Sequence, residues 1–151
     1  MIEKRLAELG LELPKPPTPA ANYIPWIVSG NHIYFAGQTP KVGAELKYTG
    51  QVGSDLSIEQ GYDAAKLCAT RLLSALREAA GGFENVHRIV KLTVFVNSSA
   101  AFEEHAKVGN GASDLLCALF GEAGVHVRSA VGASSLPGNA AVEVEMIAEL
   151  E

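Results

Sequence analysis

Val86-His87-Arg88-Ile89-Val90-Lys91-Leu92-Thr93-Val94-Phe95-Val96-Asn97 alternates in character along its length and contains neither proline nor glycine. It is longer than an ordinary strand, and its β-branched residues favour extended backbone. Strict alternation puts Val86, Arg88, Val90, Leu92, Val94 and Val96 on one face. His87, Ile89, Lys91, Thr93, Phe95 and Asn97 fall on the other. One apolar face and one mixed face predict a central strand with helices on one side only.

Helical text flanks this strand on both sides. Upstream, Ser57 and Gln60 have the spacing of a capping box, in which each side chain serves the other's backbone N–H. Ala64, Leu67, Cys68, Leu72, Ala75, Leu76 and Ala79 then recur at three and four, predicting a helix to Ala80 that Gly81-Gly82 stops. Downstream, a second helix is predicted over about 100–120, with Phe102, Val108, Leu115, Leu116, Leu119 and Phe120 inward and Gly121 at its end. Gly109-Asn110-Gly111 within it implies a kink or a close backbone approach.

Further out, Trp26-Ile27-Val28 and His32-Ile33-Tyr34-Phe35-Ala36 read as a hairpin about Ser29-Gly30-Asn31. A minor strand is placed near Leu46–Thr49, and the last two strands at Val127–Ser134 and Val142–Leu150. Val142, Val144, Met146 and Ala148 should face the helices, leaving Glu143, Glu145, Ile147 and Glu149 opposite. The far face is expected to carry Ile89, Thr93 and Phe95, with Ala130 and Gly132 beside Arg128. Such a mixed face suits contact between subunits. After a short helix over Ile2–Leu9, five prolines between Pro14 and Pro25 predict an extended lead over residues 1–22. The whole of 1–151 reads as one α+β domain, a sheet backed on one face by two helices.

Composition narrows the function. The chain has 151 residues, 48% of them hydrophobic and 19% charged, which excludes global disorder. Its formal net charge of -5 argues against a nucleic-acid partner, whose phosphates need a positive field. No apolar run approaches the roughly 18 residues of a membrane span. The first ten residues mix charge with leucine, so a cytoplasmic location is expected. Cys68 and Cys117 read as buried free thiols. His32, His87, His105 and His126 lack metal-site spacing, and neither a metal nor a cofactor is expected.

Several residues stand out chemically. Arg128 lies inside strand text, where a guanidinium is costly unless paired; it either grips a carboxylate or forms a salt bridge to Glu143 or Glu145. Glu143 and Glu145 share a face, which would raise at least one pKa and suit a water activator; the alternative is a solvated strand face. Tyr23 either lines a cleft or packs on the surface, and Asn110 either points its amide at a ligand or merely marks a kink.

Taken together, these segments resemble a known family. Tyr23, the hairpin Gly30–Gln38, Lys91–Val96, Arg128-Ser129-Ala130-Val131-Gly132, Leu136-Pro137 and Val142–Ala148 are similar to the YjgF/YER057c/UK114 family, also called RidA or endoribonuclease L-PSP. Pro25-Trp26, the long 41–56 segment and His126 place the chain in a divergent branch. The resemblance implies a chorismate-mutase-like α+β fold and a homotrimer whose sheets form a central barrel with clefts between subunits. It implies hydrolysis of reactive enamine/imine 2-carboxylates to 2-keto acids and ammonia, as by a 2-iminobutanoate/2-iminopropanoate deaminase. Arg128 would bind the substrate carboxylate and Glu143 would hold or activate water. Tyr23, Gly37 and Asn110 would complete the substrate site. A small-carboxylate binding or regulatory protein without turnover is the alternative. RNA cleavage, the activity in the older family label, conflicts with the acidic balance.

Overall fold

The computed structural model describes residues 1–19 and 22–151. In chain order the elements are α1 (Ile2–Glu8), β1 (Trp26–Ser29), β2 (His32–Gln38), β3 (Lys41–Val42), β4 (Glu45–Leu46), α2 (Ile58–Ala80), β5 (Val86–Asn97), α3 (His105–Phe120), β6 (Val127–Ala133) and β7 (Val142–Leu150). Five strands form one sheet in the order β1-β2-β7-β5-β6, and β3 and β4 pair separately. Only β5 and β6 run parallel, because α3 carries the chain back between them. The architecture is the expected α+β arrangement, a mixed and mostly antiparallel sheet with α2 and α3 on one face. Residues 20 and 21 of the predicted extended lead lie outside the described residues.

The core lies between that face and the two helices. Leu72, Leu73 and Leu76 of α2 and Val108, Leu116 and Leu119 of α3 meet Leu92, Val94, Val96, Val142, Val144 and Met146 of the sheet, all essentially inaccessible to water. The capping box forms as read: Ser57 Oγ accepts from the Gln60 N–H at 3.1 Å, and Gln60 Oε1 accepts from the Ser57 N–H at 2.9 Å. Gly81 ends α2 in the left-handed region at φ 71°. Helix α1 docks at the far end of α3, where Arg5 Nη1 donates to the terminal carbonyl of Leu119 at 2.6 Å.

Several expectations are corrected. Helix α3 starts at His105, not near 100, because residues 98–104 turn the chain away from β5, with the Phe102 N–H bonded to the Ser99 carbonyl. It runs through Gly109-Asn110-Gly111 without a break, and the glycines serve close approach. A β-carbon on Gly111 would collide with the Tyr62 carbonyl oxygen of α2. The minor strand near 46–49 is instead the β3–β4 hairpin, with Thr49 bridging only to Ala140. Cys68 is buried as expected, whereas Cys117 is only half-buried on the outer side of α3.

Face assignments shift too. The β5–β7 register is irregular between Val86 and Arg88 and again between Ile89 and Lys91. Each extra residue reverses the alternation, so Ile89 turns into the core and Arg88 to solvent. On β6 the far face carries Val127, Ser129 and Val131, in register with Lys91, Thr93 and Phe95. Arg128, Ala130 and Gly132 point instead toward α3, Ala130 against Gly109 and Gly132 against His105. The far face presents Tyr34, Lys91, Thr93, Glu145 and Ile147 around a depression of about 200 Å³.

Candidate functional site

The residues singled out in the sequence fall into two separate groups. Tyr23, Gly37 and Glu143 share a groove of about 770 Å³ beside the proline-rich lead. Arg128 and Asn110 meet elsewhere, between β6 and α3. Within one chain the structure does not bring Arg128 and Glu143 together.

The groove depends on a break in strand pairing. The β2–β7 register slips between Phe35 and Gln38, and Gly37 sits in that irregularity. Glu143, the second residue of β7, lays its carboxyl over the bare Gly37 backbone, so that a β-carbon at 37 would sit 3.0 Å from it. Burial pushes the Glu143 carboxyl above the usual carboxylate range, and the neighbouring Glu145 charge adds to the shift. Glu145 itself is exposed. Tyr23 is 60% exposed and presents its ring at the groove edge. Arg71 of α2 reaches the same groove, with Nη1 donating to the Thr39 carbonyl at 2.7 Å.

Arg128 is held by neutral groups. Its Nη1 donates to Asn110 Oδ1 and to Ser113 Oγ, each at 3.0 Å, and its Nη2 donates to the Ala106 carbonyl at 3.4 Å. The guanidinium lies against Gly109, where a β-carbon would approach it to 3.2 Å. Among the described residues Arg128 forms no ion pair, which removes the salt bridges to Glu143 or Glu145 considered from the sequence. Asn110 therefore orients the arginine instead of marking a kink.

Two more residues complete this arrangement: Ser113, which the sequence reading missed, and His126, which it noted only as a departure from the family pattern. His126 Nδ1 lies 2.6 Å from the Gly124 carbonyl, and its Nε2 lies 2.9 Å from Ser113 Oγ. A carbonyl only accepts, so Nδ1 carries the proton and, in the neutral ring, Nε2 accepts from the Ser113 hydroxyl. Ser113 then turns its lone pairs to Arg128. The available signals were spacing: Ser113 lies three residues after Asn110 on the same helix face, and His126 lies two residues before Arg128.

Among the described residues no three His, Cys, Asp or Glu side chains cluster as a metal site, and no helix is long and apolar enough to cross a membrane. A guanidinium held only by neutral groups among the described residues can bind a small anion, and a half-buried carboxyl with a raised pKa can move a proton.

Comparison with known proteins agrees with the fold and its segments. Residues 3–150 match the family described as "YjgF/chorismate mutase-like, putative endoribonuclease". The chain is 44% identical over 150 residues to Protein TCP17 of Trypanosoma cruzi, covering 99% of this chain and 94% of that protein. The crystal structure of Atu1372 from Agrobacterium tumefaciens, a protein of unknown function, superposes with a TM-score of 0.93 at 42% identity, covering 99% of this chain and 92% of that one. A "putative endoribonuclease" from Shewanella oneidensis MR-1 superposes with a TM-score of 0.95 at 35% identity, covering 99% of both chains. The chain belongs to the YjgF/chorismate mutase-like family.

Proposed function

We propose that the protein hydrolyses small enamine/imine 2-carboxylates to 2-keto acids and ammonia. In this reading it works as a cytoplasmic homotrimer, with the Arg128–Asn110 group of one copy facing the Tyr23–Gly37–Glu143 groove of the next. The observation that carries it is Arg128: a guanidinium oriented by Asn110, Ser113 and the Ala106 carbonyl, yet without a counter-ion among the described residues. Planar donors of this kind grip a carboxylate in two-pronged fashion.

The chemistry follows from the charges. Arg128 holds the substrate carboxylate and draws electron density from the adjacent imine carbon. Ionised Glu143 accepts a proton from water as the oxygen adds to that carbon. Glu143 returns that proton to the nitrogen to give the carbinolamine, whose hydroxyl proton then passes to nitrogen through Glu143 as the carbonyl forms and ammonia leaves, so one water is consumed for each ammonia and 2-keto acid released. The Gly37 backbone, bare of side chain, lets the Glu143 carboxyl lie directly against it. An RNA backbone is a poorer fit, because many phosphates need a broad positive field and the chain carries a net charge of -5.

A coupled assay tests the proposal. An amino-acid dehydratase generates 2-iminobutyrate in situ, and its decay is followed as semicarbazone formation. Micromolar protein should accelerate the decay, and Arg128→Ala should remove the acceleration. No acceleration by the wild type, or full activity in the variant, refutes it; carboxylate binding without any turnover would favour a binding protein instead.

A further inference from the structure

The groove holds a second arginine that the proposed reaction does not use. Arg71 projects from α2, half-buried, and among the described residues only one of its five N–H donors is matched, by the Thr39 carbonyl. Among the described residues no carboxylate pairs with it. Burying a guanidinium without a counter-charge is costly, and arginine does not shed its proton to escape that cost.

The surroundings point the same way. The groove is lined by Lys15, Lys41 and Arg71 against a single carboxylate, Glu143. Three cations thus gather around one acid in a chain whose overall balance is -5. Arg71 and Glu143 line the same groove, so the two charges share one hollow in the fold. They are nevertheless not joined as an ion pair. A local positive excess beside an unpaired guanidinium is a place for an anion.

We propose that Arg71, supported by Lys41, forms a second oxyanion subsite in the groove, so that the preferred ligand is a 2-imino or 2-keto acid with a further carboxylate at its distal end. The proposal rests on the reading above, in which Arg128 of a neighbouring copy holds the first carboxylate. The two arginines would then clamp a dianion at both ends, with the reacting carbon between them beside Glu143. A distal phosphate offers Arg71 similar oxygens, and the choice of probes separates the two.

Titration calorimetry on the full-length assembled protein provides the test, with 2-oxobutyrate, 2-oxoglutarate and 3-phosphoglycerate as probes. The wild type should bind 2-oxoglutarate about tenfold or more tightly than 2-oxobutyrate. Arg71→Met keeps most of the side-chain stem and should abolish that preference while leaving 2-oxobutyrate affinity unchanged. Arg71→Lys should retain part of the preference. A purely structural Arg71 would instead weaken both ligands together. Tightest binding of 3-phosphoglycerate, with the same loss in Arg71→Met, assigns the subsite to phosphate and overturns the distal carboxylate. Equal affinity for the two keto acids in the wild type, or a preference that survives Arg71→Met, overturns the subsite while leaving Arg128 as the anchor. Binding of 2-oxobutyrate that persists in Arg128→Ala overturns the first reading alone, and absence of all binding overturns both.

Discussion

At the scale of single residues, the arrangement around Arg128 sets a hierarchy of effects. Removing the guanidinium in Arg128→Ala should weaken small-carboxylate binding about 100-fold, since two charge-assisted hydrogen bonds are lost together. Ser113→Ala leaves the charge but frees one prong, so binding by calorimetry should fall only several-fold. Glu143 gives a pH dependence of definite sign. Its folded pKa lies above the ordinary carboxylate value because of burial and Glu145. The stability linked to its protonated form is therefore complete below the unfolded value and is lost as pH rises through the folded one. Glu143→Gln should accordingly melt at a higher temperature than the wild type at pH 7 and match it near pH 4, with a small difference because the side chain is only half-buried. The hydrolytic rate should rise over the same interval as the base ionises, and Glu143→Gln should lose that limb of the profile.

At the scale of elements, two glycines on one turn of α3 have different duties. Gly111 meets the α2 backbone at Tyr62, which cannot step aside, so Gly111→Ala should cost about 3 kcal/mol in urea unfolding. Gly109 meets most closely the movable end of Arg128, with Ala130 at ordinary contact distance, so Gly109→Ala should unfold close to the wild type while displacing the guanidinium and weakening carboxylate binding. The Gly-Asn-Gly text announced close approach without saying to what. The helices themselves were legible because capping chemistry and three-four periodicity are local, as Ser57 with Gln60 and the terminal Gly81 demonstrate. The face of Ile89 was not legible, because an irregular pairing in β5 adds a residue to the alternation without leaving a proline or glycine behind. The direction of Arg128 was misread for a related reason: nothing within β6 says which of its two faces meets α3.

At the scale of the molecule, the groove and the arginine stand apart within one chain, and the proposed reaction needs a second copy to join them. The far face carries exposed Tyr34, Val127 and Val131, an apolar surface that suits coverage by other subunits. Native mass spectrometry should give three copies, and Ile147→Asp, which places a charge in the middle of that face, should give a monomer that lacks activity although Arg128 and Glu143 remain. The most direct measurement is a crystal structure of the assembled protein soaked with 2-oxobutyrate. The account predicts the ligand carboxylate on Arg128 of one subunit and its carbonyl carbon within reach of Glu143 of the neighbour. A ligand bound away from Arg128, or an assembly that leaves Arg128 and Glu143 in separate solvent-filled surfaces, would contradict it.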